Sequence, residues 1–311
     1  MKKNKFCCKI NRIIIFAIVL AVFSAFSTTT AHANGISDTE LDQILKILTE
    51  IKEESVDVPV LMYHHLDDDA YINTIVTPET FESHIKALSD DGYTGISFEE
   101  LIDYVENDGE LPEKPIVITF DDGYLSNYEF AYPILQKYEM KATMFVIGTL
   151  VGKAVYLDTD SDEYPIIPHF YYEQANEMIE SGLISVQSHS YDMHRYEEYE
   201  AMLGREYRCG ILPLETETEE EYILNFQNDF ELARAELELE TDTKMTVYSY
   251  PYGEYTDLSE KLLRELGIKV TLTTNHGSNK IIKGDSDTLY LLKRYSINDM
   301  PAERLLEILG Q

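Results

Sequence analysis

Two adjacent carboxylates at the end of an apolar run are the residues of this sequence best suited to chemistry. Residues 116–120 are β-branched or aromatic, Asp121 and Asp122 follow directly, and Gly123 marks a turn. Two acids at the end of a buried strand repel each other, so one would bind a proton unless a cation lay beside them. A bound cation would take one carboxylate as a ligand and leave the other ionised as a base. The alternative is a solvated Asp-Asp-Gly turn.

A second polar segment contains His189 and His194, which are five residues apart. On an α-helix this spacing would turn the two rings about 140° away from each other. They could therefore share one ion only if the chain turns between them, as a loop after a strand would allow. Two imidazoles and one carboxylate can hold zinc and leave one coordination position open. The alternative is a solvent-exposed histidine pair in a polar loop.

Hydrophobic periodicity predicts strands that alternate with helices, which is typical of an α/β fold with a mostly parallel sheet covered by helices. Between residues 195 and 219 the pattern weakens and predicts an insertion or long loop. The predicted strands are 58–63, 116–120, 142–147, 184–187, 245–250, 270–274 and 289–297. The predicted helices are 78–91, 97–105, 127–138, 171–181, 220–239, 258–266 and 302–309.

Polar residues gather at the carboxyl ends of five of these strands, where parallel α/β folds place their sites. Because these ends point to one face of the sheet, together they predict a site better than any single motif does. The residues are His64, His65, Asp121, Asp122, His189, Pro251, Tyr252, Gly253, Asn275 and His276.

The chain is strongly acidic, with 25 Lys and Arg against 57 Asp and Glu and a formal net charge of −32. This balance argues against nucleic acid or an anionic membrane surface as a partner. We expect a solvated acidic surface, which would also favour a cationic product such as a polymer of free amino sugars. Cys209 is the one cysteine after residue 33, so the mature chain forms no internal disulfide and depends on its core for stability.

Residues 1–33 are predicted to be a signal peptide. Five basic residues precede an apolar run at 13–26 that is short for a membrane span, and Ala31 and Ala33 offer a small-residue cleavage site. Cleavage there would take the net charge from −32 to −37, because the segment contains five Lys or Arg residues and no acid. The alternative is an uncleaved anchor. We therefore expect a secreted or extracytoplasmic protein that could associate with the cell surface.

Residues 34–57 are predicted to be a helical lead-in, with apolar residues at helical spacing from 41 to 51. This segment either docks on the main domain or serves as a short stalk. Residues 58–311 are predicted to form one domain that includes the insertion near 195–219.

Taken together, these segments resemble the polysaccharide deacetylases built on the NodB homology domain, carbohydrate esterase family 4. The resemblance covers about residues 58–297 and implies a distorted (β/α) barrel. The five-residue histidine spacing resembles the branch that acts on poly-N-acetylglucosamine of biofilm matrix. The matching motifs are Thr119-Phe120-Asp121-Asp122-Gly123, His189-Ser190 followed by His194, Tyr250-Pro251-Tyr252-Gly253 and, more weakly, residues 60–65.

The resemblance implies that Asp122, His189 and His194 hold a divalent metal, usually zinc. It implies that Asp121 is the general base for the attacking water and that the Tyr252 backbone N–H stabilises the oxyanion. The expected activity is hydrolytic removal of N-acetyl groups from an extracellular or cell-wall polysaccharide that contains N-acetylglucosamine. The biofilm polymer is the first choice of substrate and peptidoglycan the second.

Two positions depart from the family pattern. Many members carry an arginine where this chain has Ser249, and many carry a late histidine as general acid that the segment 291–295 lacks. His276 would have to replace that histidine, unless another group protonates the leaving amine or His276 is a plain loop residue. His64 either contacts substrate or packs at a strand end.

These departures leave two other hypotheses open. In one, the chain is a non-catalytic glycan-binding protein that retains the deacetylase fold. In the other, the ion is purely structural.

Overall fold

The computed structural model describes residues 54–158 and 163–310. The predicted signal peptide lies outside the described residues, as do residues 34–53 of the predicted lead-in. Residues 55–57, the end of that lead-in, differ from the helical expectation because they begin strand β1 (Ser55–Val58). Val58 is buried, and the strand pairs antiparallel with Asn279–Ile282, so it is part of the domain. Within the described ranges, no helix combines the length and apolar character that a membrane crossing needs.

The described strands follow one another along the whole domain. In chain order after β1 they are β2 (Val60–Tyr63), β3 (His65–Leu66), β4 (Ile75–Val76), β5 (Thr94–Gly95), β6 (Pro115–Phe120), β7 (Ala142–Val146), β8 (Val155–Asp158), β9 (Glu163–Pro165), β10 (Ile184–Ser188), β11 (Val247–Ser249), β12 (Val270–Leu272), β13 (Asn279–Ile282) and β14 (Tyr295–Ser296).

Helices lie between these strands in the predicted alternation. They are α1 (Pro78–Asp90), α2 (Phe98–Glu106), α3 (Tyr132–Lys137), α4 (Tyr172–Glu180), α5 (Glu197–Met202), α6 (Glu219–Thr241), α7 (Asp257–Glu265) and α8 (Ala302–Leu309). A π-helical turn (Asn127–Ala131) precedes α3, and 3₁₀ turns form at Gly148–Leu150, Pro251–Gly253 and Ser286–Leu289.

A curled parallel sheet forms the centre of the domain. Its strand order is β12-β11-β10-β7-β6-β2-β14, and β5 pairs with the first residues of β6. Every pairing within it is parallel, so the carboxyl ends of the strands share one edge. This arrangement confirms the predicted α/β fold class and brings the polar strand ends to one face.

Strand β6 shows how the sheet positions the carboxylates that follow it. All six residues are buried, as expected of a parallel strand covered on both faces. Ile118 and Phe120 belong to the larger of two hydrophobic clusters, whereas Val117 belongs to the second, which also contains residues of α2. Because side chains alternate along a strand, Thr119 and Asp121 share one face of β6 with Val117.

The predicted strand at 289–297 is wrong in extent, since β14 is two residues long. Leu291 adopts a left-handed backbone conformation at φ 56°, which interrupts a regular ladder. Leu292 still pairs with Leu272 of β12, and Tyr295 pairs with Leu61 of β2. The segment 291–296 therefore pairs with both β12 and β2 and closes the distorted barrel.

The segment 195–219, predicted as an insertion or long loop, contains helix α5 and is fixed to the domain by specific contacts. Ile211 is fully buried in the main core. Arg208 pairs with Glu217 at 2.8 Å and donates to the Leu212 carbonyl at 2.7 Å. An ion pair, a hydrogen bond to the main chain and the buried Ile211 side chain therefore fix this segment, although its sequence lacks hydrophobic periodicity.

Candidate metal and catalytic site

The two adjacent carboxylates lie at the carboxyl end of β6, with Asp121 2% and Asp122 5% exposed. Asp122 has φ 74°, and two other non-glycine residues at this face, Ser190 and Tyr252, also have positive φ, at 77° and 59°. Such conformations cost of order 1–3 kcal/mol each and concentrate at functional sites. The strain turns the backbone after Asp121, so both carboxylates reach the same interior space.

His189 and His194 converge on Asp122, as the metal-site hypothesis requires. The Nε2 atoms of His189 and His194 lie 3.6 Å and 3.4 Å from Asp122 Oδ1. Ligand atoms of all three buried side chains lie within 4.8 Å of one another. The chain does turn between the two histidines, in the loop after β10.

The protonation states of this group suit metal binding. His189 Nδ1 lies 2.7 Å from the Ser249 carbonyl oxygen, so its N–H donates to that oxygen and Nε2 is directed towards Asp122. Burial lowers the pKa of His194 to about 4, against the opposing effect of Asp122, so this imidazole is neutral at neutral pH. Asp122 Oδ1 is buried without a hydrogen-bond partner. A buried anionic oxygen without a hydrogen-bond partner, close to two ring nitrogens, is suited to a cation.

The distances from Asp122 to the two histidine nitrogens also fit zinc. Atoms bound about 2 Å from one tetrahedral ion lie about 3.3 Å apart. The two observed nitrogen–oxygen distances, 3.4 and 3.6 Å, are close to that edge length. The residues present therefore fit a divalent metal without rearrangement of the backbone.

Asp121 is held by Arg294, a residue that the sequence analysis did not assign to the site. Arg294 is fully buried and donates from both terminal nitrogens to the two Asp121 oxygens, each at 2.8 Å. Its Nε donates to the Thr273 carbonyl at 2.8 Å, which fixes the plane of the guanidinium. Such bidentate pairs determine both the charge and the orientation of a carboxylate.

Arg294 also determines the protonation of Asp121. Burial alone would raise the pKa of Asp121, but the charge of Arg294, with smaller contributions from His189 and His64, holds that pKa well below its usual range. Asp121 is therefore an ionised base at neutral pH, 3.9 Å from His189 Nε2.

The structure explains why this chain can have Ser249 at the position where many family members carry an arginine. The Ser249 hydroxyl lies 3.5 Å from both Asp121 oxygens, so an arginine at this position would approach the carboxylate that Arg294 already binds. The cation beside Asp121 comes instead from the irregular segment that closes the barrel. The available signal was a pair of basic residues, Lys293 and Arg294, in the otherwise apolar segment from Leu291 to Tyr295. A second signal was the strand end at Ser249, which lacks its expected arginine.

Tyr252 lies beside the predicted metal ligands. Its ring centroid is 4.4 Å from that of His194, and its hydroxyl donates to the Arg195 carbonyl at 2.7 Å. Tyr252 is 39% exposed and lies inside a tight 3₁₀ turn that leads away from the sheet. Gly253 follows at φ 75°, and a Cβ there would lie 2.2 Å from Thr274 Oγ1, so the turn that carries the Tyr252 amide requires glycine.

The two remaining histidines of interest occupy different environments. His64 interacts electrostatically with both Asp121 and Asp122, its Nδ1 is buried without a partner, and its carbonyl accepts from Asn127 at 2.7 Å. His276 is exposed and packs edge-on against Tyr295, with centroids 4.8 Å apart. The structure therefore brings His64, and not His276, to the carboxylates.

Comparison with known proteins agrees with this geometry. The sequence profile of the polysaccharide deacetylase family matches residues 108–271. A putative polysaccharide deacetylase of Bacillus subtilis (strain 168), YxkH, is 30% identical over 79% of this chain and 73% of that protein. The poly-beta-1,6-N-acetyl-D-glucosamine N-deacetylase of Staphylococcus aureus (strain MRSA252) is 24% identical over 96% of this chain and 97% of that protein.

Among solved structures, the Streptococcus pyogenes deacetylase PplD in complex with acetate is similar at a TM-score of 0.62 and 26% identity. The match covers 82% of this chain and 99% of that chain. The similarity therefore extends over the whole curled barrel.

Proposed function

This chain belongs to the polysaccharide deacetylase family, in its NodB-type group near the poly-N-acetylglucosamine branch, and from this premise we propose that it is a metal-dependent N-deacetylase of an extracellular glycan. The preferred substrate is a β-1,6-linked polymer of N-acetylglucosamine, the substrate in the name of the S. aureus relative, and peptidoglycan is the second choice. Export follows from the basic and apolar N-terminal segment. The reaction yields acetate and a free amino sugar.

One observation carries the proposal: Asp122, His189 and His194 converge in the interior, and one oxygen of Asp122 has no hydrogen-bond partner. We assign these three residues to a divalent metal, with zinc as the first choice because of its affinity for nitrogen ligands and tetrahedral sites. When bound, such an ion supplies a Lewis acid that activates water and polarises the acetamide carbonyl.

The other residues of the site have separate roles in the hydrolysis. Asp121, kept ionised by Arg294, accepts a proton from the attacking water. The Tyr252 backbone N–H, fixed in its turn, donates a hydrogen bond to the oxygen that gains charge. Apart from the metal ligands, the site thus offers a base for the attacking water and a donor for the carbonyl oxygen.

His64 is the side chain best placed to protonate the leaving amine, because its buried Nδ1 has no partner and it faces both carboxylates. We expect His64→Gln to lower kcat by about 10²-fold, the lower end of general-acid contributions, with little change in KM or metal content. His276→Gln is the matched control and should keep wild-type turnover. Wild-type kcat in His64→Gln, or a loss confined to His276→Gln, would contradict this role.

The direct test of function is acetate release from oligomers of β-1,6-linked N-acetylglucosamine, with chitooligosaccharides and peptidoglycan as comparison substrates. We expect release by the metal-loaded protein and loss after chelation, restored by added Zn²⁺ or Co²⁺. His189→Ala should release no acetate while retaining its fold.

The same measurement separates the two rival hypotheses. A glycan-binding protein would retain the polymer without releasing acetate under any metal condition. A purely structural ion would leave no activity at any metal level, and chelation would lower the melting temperature.

A further inference from the structure

The carboxylate of Asp229, on helix α6, lies beneath the loop that carries His189 and His194. The side chain is buried, with 8% of the residue exposed. Its two oxygens accept from consecutive amides, that of Tyr191 at 2.9 Å and that of Asp192 at 2.7 Å. One carboxylate thus binds two neighbouring N–H groups in the middle of the segment between the two predicted ligands.

The remaining amides of this loop are satisfied within the loop itself. The Ser190 amide donates to Ser188 Oγ and the Met193 amide donates to Ser190 Oγ, both at 3.2 Å. All four amides from residue 190 to residue 193 therefore have acceptors. Among these acceptors, Asp229 is the one that comes from another element of the fold, helix α6.

The turn between the histidines needs such support. Ser190 has φ 77°, a conformation that costs a residue other than glycine of order 1–3 kcal/mol. Without the turn, a five-residue spacing would direct the two imidazoles apart. The amides held by Asp229 follow Ser190 directly, so the carboxylate acts on the part of the loop that reverses its direction.

Burial of the Asp229 carboxylate is unfavourable for the stability of the fold. Burial raises its pKa to about 6, although the amides of Tyr191 and Asp192 and the charge of Arg195 act in the opposite direction. A folded-state pKa above the ordinary value means that the ionised carboxylate lowers the free energy of unfolding as pH rises through about 6. The ionised Asp229 carboxylate thus lowers the free energy of unfolding at neutral pH, yet it binds the loop between His189 and His194. This combination points to a role for Asp229 in that loop.

We infer that Asp229 is a positioning residue that holds the turn between His189 and His194, so that both imidazoles face Asp122. This inference rests on the proposed function, because it presupposes a divalent metal at these three residues. The hydrogen bonds of Asp229 go to the Tyr191 and Asp192 amides and not to the predicted ligands themselves. Its effect is therefore expected on metal affinity and coordination geometry, both measurable without turnover.

Co²⁺ titration of the metal-free full-length protein tests the inference, with visible absorption as a report of coordination geometry. We expect Asp229→Asn and Asp229→Ala to bind Co²⁺ about 10- to 100-fold more weakly than wild type, with an altered spectrum. Glu231→Gln is the control for charge. Glu231 lies on the same helix, its side chain is 53% exposed and it pairs with Arg234 at 3.5 Å. The Glu231→Gln variant should bind Co²⁺ within twofold of wild type.

Thermal unfolding of the same metal-free variants separates positioning from folding. We expect melting temperatures close to wild type for Asp229→Asn. Wild-type affinity and spectrum in both Asp229 variants would overturn the inference, and so would variants that no longer fold at the assay temperature. A wild-type protein that binds no Co²⁺ would instead overturn the proposed function, so the two failures are distinguishable.

Discussion

Asp121→Asn is expected to lower acetate release by about 10²- to 10⁴-fold, the range that a positioned general base contributes. The substitution keeps the shape of the side chain but removes the charge that accepts a proton from water. Metal content should stay at the wild-type level, because Asp122, His189 and His194 are unchanged. Acetate release at saturating substrate and metal analysis of the same preparation provide the two measurements.

This substitution needs a second variant as a stability control. Asp121→Asn leaves Arg294 buried without a counter-charge, and breaking such a pair costs about 3–5 kcal/mol. The double variant Asp121→Asn/Arg294→Met removes both charges and should recover stability but not activity. Asp67→Asn, whose carboxylate is 46% exposed, is the matched surface control and should retain full activity. Wild-type turnover in a folded Asp121→Asn protein would contradict the role of Asp121 as base.

Arg294→Met is expected to lower the free energy of unfolding at pH 7.5 by about 3–5 kcal/mol and to move the acid limb of the pH–rate profile to higher pH. In the wild type, Arg294 holds the pKa of Asp121 below its usual range, so the ionised carboxylate is available as base across the acidic range. Without Arg294, burial raises the pKa of Asp121, and the base is protonated at a higher pH.

The pH dependence of stability gives a second measurement for Arg294→Met. In the wild type, the lowered pKa of Asp121 stabilises the fold above about pH 4, and that contribution is lost as pH falls towards the folded-state pKa. In the variant the sign reverses, because a raised pKa makes the fold more stable as pH falls. Urea unfolding should therefore show a smaller difference between the two proteins at pH 4.5 than at pH 7.5.

Arg304→Met is the matched control for this substitution. Arg304 pairs with Glu307 on the surface, with side chains 55% and 64% exposed, and exposed pairs contribute about 1 kcal/mol or less. Arg294→Met could instead keep the wild-type pH–rate profile and be as stable as Arg304→Met. That result would mean that Arg294 does not determine the protonation of Asp121.

The sequence predicted the parts of the site that depend on local pattern. Asp121 and Asp122 end a six-residue buried strand, and His189 follows another, so periodicity and strand order sufficed to bring them to one edge. The predicted helix at 220–239 corresponds to α6, Glu219–Thr241, because its apolar repeat is regular and Thr218 forms a capping box with Glu221.

Contacts that depend on irregular backbone were not predictable in the same way. Arg294 reaches Asp121 across 173 positions from a segment in which Leu291 has a left-handed conformation. Asp229 reaches its loop amides from 38 and 37 positions away. The helical repeat of α6 places it on the buried face, between Phe226 and Ala233, but does not indicate which amides it binds. A strand or helix pattern reports which face a residue occupies, but not which partner a turn brings to that face.

Anomalous diffraction from crystals of the zinc-loaded protein, collected on both sides of the zinc absorption edge, tests the central claim most directly. We predict one peak about 2 Å from Asp122 Oδ1 and from the Nε2 atoms of His189 and His194. A peak bound by other side chains, with none among these three, would contradict the assignment of this site.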